Sequence, residues 1–372
     1  MRICVDVSGS YVHKRKGRLV VRSPAPVVVR EYRQGTFSFF EADDDVVDRR
    51  YRWQKVTRRG SRYYELEVPF WRVKELWIEG EGVAITADVI KELCEANVPV
   101  HFLDWRGRSV ALLLSPYLVG MVRTRRAQLE AYGDRRGYEF AKGVVSGKMR
   151  NQMALLRYFG KHLKGKDEGR WGELMGCVRG IAGWLRRVRA LEGESVEEVR
   201  GRLLEYEAHA GEAYWRGIGI VLGGRYEFEG RRKRGATDRF NQALNYGYAI
   251  LQSVVTGALQ TAGLDPYGGF LHVDRSGRAS LVLDFMEEFR QAVVDRAVVS
   301  LFNLGVRMRG DAEGLDVESR RQIRERIEGR LSSRQVWNGR NLTIGGIIQF
   351  QARRLAVALR GEGRYRPFVM KW

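Results

Sequence analysis

The pattern of hydrophobic and polar residues divides this 372-residue chain near residue 110. In the first part, short runs rich in β-branched and aromatic residues alternate with turn residues, which is typical of strands. Asp88–Ala96 instead has its apolar residues at helical spacing. Strands are predicted at Arg2–Val7, Arg18–Arg22, Val27–Tyr32, Thr36–Phe40, Tyr63–Val68, Glu75–Ile78 and Val98–Leu103. We therefore expect a small β-rich domain over residues 1–110, with the charged segment 41–62 as an insertion or a solvated loop.

The second part of the chain is dominated by helical spacing of apolar residues. Ser195 and Glu198 have the Ser-x-x-Glu form of a capping box, and Ser280 resembles a helix cap. Predicted helices cover Arg123–Tyr132, Glu139–Lys161, segments beginning near Ser195, Thr237, Ser280 and Gln291, residues 311–330, and Thr343–Leu359. The pattern predicts a larger all-helical domain over residues 118–372, so the fold class is α+β.

Charge then narrows the possible partners. Lys and Arg number 65 against 45 acidic residues, which gives a formal net charge of +20. Such an excess favours a polyanion, with nucleic acid ahead of an anionic membrane surface. No apolar run approaches the roughly 18 residues of a spanning helix, and the first residues lack the apolar region of a signal peptide. We therefore predict a cytoplasmic protein without a membrane segment.

The stretch from Leu264 to Arg290 carries the candidate chemistry. A glycine- and proline-rich connection ends at His272, and a helix after it carries Asp284 and Glu287 three residues apart on one face. The surrounding positions are apolar on nearly every side. Carboxylates in such surroundings are costly unless a cation or hydrogen bonds compensate them.

These residues form a recognisable pattern. The motif Gly-Leu-x-Pro-x-x-Gly-x-Leu-His, followed by Ser-Leu-x-x-Asp-x-x-Glu-x-Phe-Arg, strongly resembles the CRISPR-associated spacer-acquisition integrase family ("Cas-one" endonucleases). A second motif, Glu-Ala-x-Ala-Gly-x-x-Tyr-Trp, begins at Glu207 and resembles the family's Glu-Gly-x-Ala-Ala-x-x-Tyr-Phe, whose Glu is a metal ligand. Ala208 and Gly211 depart from that pattern. Without the resemblance, Glu207 alone would be interpreted as an ordinary exposed helix residue.

The resemblance implies catalytic residues and a cofactor. It implies Glu207, His272, Asp284 and Glu287 as the catalytic groups. Glu207, His272 and Glu287 would be the metal ligands, and Asp284 a second ligand or a water-mediated partner. Carboxylate oxygens with one imidazole suit Mg²⁺ or Mn²⁺. His272 could ligate the ion or protonate the leaving oxygen, and the sequence leaves this open.

Further residues are candidates for DNA contact. The basic run Arg231, Arg232, Lys233 and Arg234 precedes a helix that carries Asn241 and Tyr248, and phosphate contact is the favoured interpretation over a solvated loop. Earlier in the chain, a segment with Lys148, Asn151, Gln152 and Leu155 resembles a helix that the family places near its active site. An ordinary helix face explains that segment equally well.

The resemblance also implies an activity and its partners. It implies an integrase that inserts short foreign DNA fragments into a CRISPR array by 3′-hydroxyl attack on a phosphodiester, and water in place of that hydroxyl gives endonuclease activity. Expected partners are double-stranded and branched DNA, a second copy of the chain joined through residues 1–110, and the small ferredoxin-like protein "Cas-two". Two alternatives stay open: a structure-selective DNA repair nuclease with the same ligands, and a non-catalytic DNA-binding scaffold.

Overall fold

Two compact units, Met1–Leu118 and Val119–Trp372, make up the chain. The structure, a computed structural model, describes residues 1–30, 53–58, 61–115, 121–224, 226–312 and 314–371. In its described residues the first unit consists of strands, one α-helix and one short 3-10 helix (Phe70–Arg72), and the second unit is mostly helical. This arrangement confirms the predicted α+β class.

The first unit contains two five-stranded sheets. Its strands are β1 (Arg2–Val5), β2 (Tyr11–Arg15), β3 (Arg18–Ser23), β4 (Val28–Arg30), β5 (Trp53–Arg58), β6 (Ser61–Pro69), β7 (Glu75–Ile78), β8 (Ala84–Ile85), β9 (Val100–Leu103) and β10 (Ser109–Leu113). One sheet has the order β10-β9-β7-β1-β4 and the other β5-β6-β3-β2-β8. Side chains such as Ile3, Leu19, Leu66 and Leu76 are fully buried in a shared apolar core. Helix α1 (Ala87–Glu95) confirms the predicted helix.

Four of the described strands of this unit were not predicted, namely β2, β5, β8 and β10. In β2 the apolar Val12 is buried while its neighbours Tyr11 and His13 are more exposed, so polar residues mask the strand pattern. β5 pairs with β6 from Trp53↔Leu66 to Arg58↔Ser61. The segment 41–62, expected to be an insertion or a loop, therefore contains a strand in its described part. The predicted strand Thr36–Phe40 lies outside the described residues.

The second unit is built around long helices. They are α2 (Met121–Glu130), α3 (Arg135–Gly160), α4 (Glu168–Ala190), α5 (Val196–Leu222), α6 (Arg239–Thr261), α7 (Ser280–Met286), α8 (Arg296–Asn303), α9 (Val317–Ser332) and α10 (Ile344–Leu359). One π-helical segment, Gln291–Asp295, precedes α8 and is buried throughout. None of the described helices is both long and apolar enough to cross a membrane.

One element corrects the expectation of an all-helical unit. Strands β11 (Arg334–Trp337) and β12 (Arg340–Thr343) form an antiparallel hairpin. Asn338 and Gly339, which join them, both have positive φ angles of 48° and 73°. Asn-Gly tolerates this conformation at little cost, and such a turn matches the twist of two paired strands. The Asn-Gly pair is therefore the sequence signal for a hairpin.

The α3–α4–α5 helices form the scaffold of the second unit. The Asp167 side chain caps α4 by accepting a hydrogen bond from the Arg170 backbone N–H at 3.0 Å. Where α5 meets α3, a Cβ atom on Gly217 would lie 2.8 Å from the Leu156 side chain. Glycine thus permits close packing of these two helices, which carry two of the predicted site residues discussed below.

The segment after α10 folds back onto α3 and the end of α7. The Asn151 side chain donates to the Phe368 carbonyl at 3.0 Å and accepts from the Met370 N–H at 2.8 Å. Glu288 accepts hydrogen bonds from the Tyr365 hydroxyl and, at 2.5 Å, from the Phe368 N–H. Burial raises the pKa of Glu288 to about 8, although these hydrogen bonds oppose the rise. The tail is therefore part of the core around the site.

Candidate active site

A cavity of about 1190 Å³ in the second unit collects side chains from distant parts of the chain. It is bordered by α3, α4, α5, α6, the loop before α6, the loop before α7 and the segment after α7. Its polar lining includes Lys148, Gln152, Glu207, Glu212, Arg231, Lys233, Tyr248, His272, Glu287, Arg290 and Gln291. Three of the four predicted catalytic residues are thus brought together in one place.

Lys148 lies between two carboxylates at this cavity. Its ammonium group is bonded to Glu207 Oε1 and lies 2.7 Å from Glu287 Oε2. The other oxygen of Glu287, Oε1, lies 2.9 Å from the Arg290 guanidinium. Because the side chains of Lys148 and Glu287 are only 11% and 6% exposed, water screens these charges weakly. Two carboxylates and two cations therefore interact strongly here.

The pKa values of these groups follow from that arrangement. Burial alone would raise the pKa of Glu287, but the charges of Arg290 and Lys148 outweigh it and lower the pKa to about 2. Burial would lower the pKa of Lys148, yet Glu207 and Glu287 together raise it above its ordinary value. Both groups are therefore charged at neutral pH.

His272 lines the cavity, whereas Asp284 lies behind it and holds its imidazole. The Nδ1 atom of His272 lies 2.6 Å from Asp284 Oδ1. The same carboxylate accepts the backbone N–H groups of Phe270, Leu271 and His272 at 2.7, 2.9 and 2.9 Å. Asp284 is fully buried, and it is not among the described residues that line the cavity.

A close contact between two segments makes this arrangement possible. Gly269 packs against the first turn of α7, where an added Cβ would lie 2.5 Å from the Ser280 Cβ. Any larger residue would push the 270–272 backbone away from Asp284. The glycine motif that precedes His272 thus sets the position of the imidazole. Ser280 itself is the first residue of α7, and Ala279 occupies the cap position.

The donor set is compatible with a divalent cation. Within the described residues, no three His, Cys, Asp or Glu side chains already converge as an ion would require. The Lys148 ammonium lies between Glu207 and Glu287 instead. Glu287 Oε2 is buried and touches that ammonium without a hydrogen bond of good geometry. Two carboxylates and the Nε2 of His272 would suit Mg²⁺ or Mn²⁺.

A buried network beside the cavity was not expected from the sequence. Asp295, in the π-helical segment, accepts hydrogen bonds from the hydroxyls of Tyr214 at 2.6 Å and Tyr248 at 2.5 Å. The guanidinium groups of Arg231 and Arg290 lie over the Tyr248 ring, 5.2 and 4.8 Å from its centroid. Asp295 lies among the apolar residues Val293, Val294, Ala297 and Val298, and such a run by itself requires only packing. An acidic residue among apolar neighbours needs hydrogen-bond partners, so the position of Asp295 was the one feature of the sequence that could have indicated this network.

The predicted DNA-contact residues divide into two groups. Arg231 points inward and donates to Asn241 at 3.0 Å and to Asn245 at 2.6 Å. Tyr248 is buried and bonded to Asp295, so these residues fix the loop before α6. Arg232, Lys233 and Arg234 are exposed, and Arg232 is 2.7 Å from Glu229. Contact of this basic run with phosphate stays a prediction.

Comparison with known proteins identifies the family. The family model described as CRISPR associated protein Cas1 matches residues 42–323. The CRISPR-associated endonuclease Cas1 1 of Archaeoglobus fulgidus is 41% identical over 312 residues, covering 81% of this chain and 90% of that protein. A casposase bound to integration product has a similar fold, with a TM-score of 0.71 and 22% identity over 98% of this chain and 92% of that one. A chain of a Cas6-RT-Cas1–Cas2 complex matches with a TM-score of 0.67 and 19% identity, over 100% of this chain and 36% of that one. This chain belongs to the Cas1 family of CRISPR-associated proteins.

Proposed function

We propose that the protein is a metal-dependent DNA integrase and endonuclease that inserts short DNA fragments into a CRISPR array. The observation that carries this proposal is the convergence of Glu207, Glu287 and His272 on one cavity that already surrounds a cation. The chain's charge of +20 supports a nucleic-acid substrate. The name of its A. fulgidus relative, an endonuclease, supports phosphodiester chemistry.

The residues of the cavity have distinct proposed roles. Glu207, Glu287 and His272 would hold Mg²⁺ or Mn²⁺, which supplies Lewis-acid activation of the scissile phosphate and orientation of the attacking hydroxyl. Asp284 holds the imidazole by its Nδ1, so His272 acts through Nε2, either as a ligand or in proton transfer to the leaving oxygen. Its four hydrogen bonds favour this positioning role for Asp284 over direct ligation.

Lys148 and Arg290 offset the charge of the site. A carboxylate and a phosphate 4 Å apart repel each other by about 4 kcal/mol at an effective dielectric constant near 20. Both cations lie against Glu287, so DNA approaching the cavity meets their positive charge together with the carboxylates. They lower the electrostatic cost of bringing a phosphodiester to an acidic site.

An assay of strand joining tests the proposal. A labelled duplex with free 3′-hydroxyl ends is incubated with a supercoiled plasmid that carries a repeat array, in Mg²⁺ or Mn²⁺. The proposal predicts covalent transfer of the label into the plasmid by the wild type and its loss in Glu207→Gln. Glu205→Gln is the matched control, because Glu205 is an exposed carboxylate on the same helix. Cleavage without joining would indicate a repair nuclease, and a Glu207→Gln variant with full function would indicate a scaffold.

The proposed partners follow from the family. A solved complex of a structural relative contains Cas2, which supports a hetero-oligomer of this chain with Cas2. We further propose a homodimer formed through residues 1–110. Light scattering at micromolar concentration measures both, first with the protein alone and then with Cas2 added. A monomer in both samples would contradict the proposed assembly.

A further inference from the structure

Tyr248 on α6 borders the cavity and is anchored at its hydroxyl end. The hydroxyl donates to Asp295 Oδ1 at 2.5 Å, and Asp295 also accepts a hydrogen bond from the Tyr214 hydroxyl at 2.6 Å. Burial and the charge of Asp295 raise the pKa of Tyr248, so its hydroxyl stays protonated and remains a donor. Because the side chain is also buried, these contacts hold its ring in place at the cavity wall.

The anchored ring of Tyr248 supports Arg290. The guanidinium carbon of Arg290 lies 4.8 Å from the ring centroid, which is a cation–π distance. The same guanidinium lies 2.9 Å from Glu287 Oε1. Its Nε atom is buried and has no hydrogen-bond partner among the described residues. The aromatic ring and one carboxylate oxygen therefore orient this guanidinium.

The contact between Arg290 and Glu287 is one-sided. An arginine and a carboxylate frequently form two parallel hydrogen bonds, one to each carboxylate oxygen. Here Arg290 lies against Oε1, whereas Oε2 lies 2.7 Å from the Lys148 ammonium. Because that ammonium is also bonded to Glu207, Oε2 is the oxygen through which the two glutamates share a cation. A guanidinium that turned onto both oxygens of Glu287 would compete with the shared cation for Oε2.

We infer that Tyr248 is a positioning residue of the proposed metal site. Its ring holds Arg290 against Oε1 of Glu287 and leaves Oε2 to the cation that Glu287 shares with Glu207. Tyr248 acts through Arg290 and does not itself bind the ion, and this role differs from the DNA contact that the sequence predicts for it. The inference rests on the proposed function for the identity of the cation as Mg²⁺ or Mn²⁺.

Two substitutions separate the ring of Tyr248 from its hydroxyl. Tyr248→Phe keeps the ring and loses the bond to Asp295, whereas Tyr248→Leu loses both. In calorimetric titration with Mn²⁺ and without DNA, we expect about tenfold weaker binding by Tyr248→Leu, since residues that orient a metal ligand have effects of this size. Tyr248→Phe should bind Mn²⁺ as the wild type does. Both variants should melt at a lower temperature, because each removes one partner of the buried Asp295.

A second comparison shows whether Tyr248 acts through Arg290. In an Arg290→Gln background the guanidinium is absent, so adding Tyr248→Leu should cause no further loss of Mn²⁺ affinity. Tyr246→Leu is the matched control, because Tyr246 is a buried tyrosine on the same helix, outside the described cavity lining, whose hydroxyl accepts from Arg324 at 3.1 Å. This control should lower the melting temperature and leave Mn²⁺ affinity unchanged, which separates positioning from a general loss of packing.

The inference would be overturned by wild-type Mn²⁺ affinity in Tyr248→Leu, by an equal loss in Tyr248→Phe, or by a further loss in the Arg290→Gln background. If Tyr248→Leu does not fold, Tyr248→Met takes its place, because a flexible methionine fills buried space without an aromatic ring. A wild type that binds no Mn²⁺ would contradict the proposed function and the inference together. Wild-type protein that shows the expected Mn²⁺ effects but joins no DNA would contradict the proposed function alone.

Discussion

The Nδ1 atom of His272 and the Oδ1 atom of Asp284 lie 2.6 Å apart, and the same carboxylate also binds the backbone N–H of His272. This double contact fixes both the ring and the main chain of one residue. Because the carboxylate accepts, the proton is assigned to Nδ1, which leaves the lone pair of Nε2 for the cavity. Asp284 thus acts on the site through His272.

Removing the charge of Glu287 should affect the protein more severely than removing the charge of Asp284. We expect Glu287→Gln to abolish strand transfer, because it removes a charged ligand atom. Asp284→Asn should lower Mn²⁺ affinity by about 10–100-fold, since a residue that orients a ligand has this smaller effect. Titration calorimetry with Mn²⁺ and the joining assay measure both, with Asp88→Asn, at an exposed position on α1, as control. A harmless Glu287→Gln beside an inactive Asp284→Asn would reverse the two roles.

Lys148 should stabilise the protein most when no divalent ion is bound. In EDTA, Lys148→Met leaves Glu207 and Glu287 without their shared cation, and we expect the free energy of unfolding to fall by about 3 kcal/mol. Adding Mn²⁺ should raise the melting temperature of Lys148→Met more than that of the wild type. Lys161→Met, at an exposed site just after α3, is the control. Equal melting temperatures of the three proteins in EDTA would contradict this role.

The basic run 231–234 should separate into structural and DNA-binding residues. Arg231→Gln removes bonds to Asn241 and Asn245 and should lower the free energy of unfolding by about 1–3 kcal/mol. Lys233→Gln/Arg234→Gln should leave stability unchanged and reduce the salt slope of DNA binding by about 2. Denaturant unfolding and anisotropy distinguish the two effects. A slope unaffected by the double variant would assign 233 and 234 to a solvated loop.

Acid should destabilise the first unit through His101. Burial lowers the pKa of His101 to about 4, although Glu75 opposes this, so the folded chain keeps the imidazole neutral where the unfolded chain protonates it. The contribution of the neutral imidazole to the free energy of unfolding is therefore fully present above about pH 6.5. It is lost as the pH decreases towards 4, and the loss is about 3 kcal/mol in all. His101→Leu should reduce this pH dependence in denaturant unfolding, whereas the exposed His162→Gln should not. Equal pH profiles for wild type and His101→Leu would refute the assignment.

The sequence predicted those features that short segments encode. Local spacing determines the helix boundaries near Ser195 and Thr343 and the strand at Glu75–Ile78. The apolar residues around Asp284 likewise indicate that its carboxylate needs hydrogen bonds or a cation. In contrast, α4 contains five glycines among its 23 residues, which lower helix propensity, and was not predicted. Packing of its buried Leu174 and Ile181 stabilises the helix, and such packing depends on distant residues.

The geometry of the site depends on contacts between distant positions. Lys148 and Glu207 are 59 residues apart, and Tyr214 and Asp295 are 81 apart. A motif can identify Glu207 and His272 as candidate site residues, yet nothing local indicates that a lysine lies between Glu207 and Glu287. The inward orientation of Arg231 likewise depends on Asn241 and Asn245 in the following helix. Spacing identifies residue types, whereas three-dimensional packing decides which atoms meet.

The contact of Asn151 with the chain's last described residues has a consequence for the order of biosynthesis. The Phe368 carbonyl that Asn151 bonds lies 217 positions later, so a ribosome completes α3 long before it makes this partner. Until that tail has left the ribosome, Asn151 and Glu288 lack bonds that hold the helices around the cavity. The support that the tail gives to the walls of the cavity is therefore added only after translation has passed residue 370. An unfinished chain would hold the segments that carry Lys148 and Glu287 with fewer bonds.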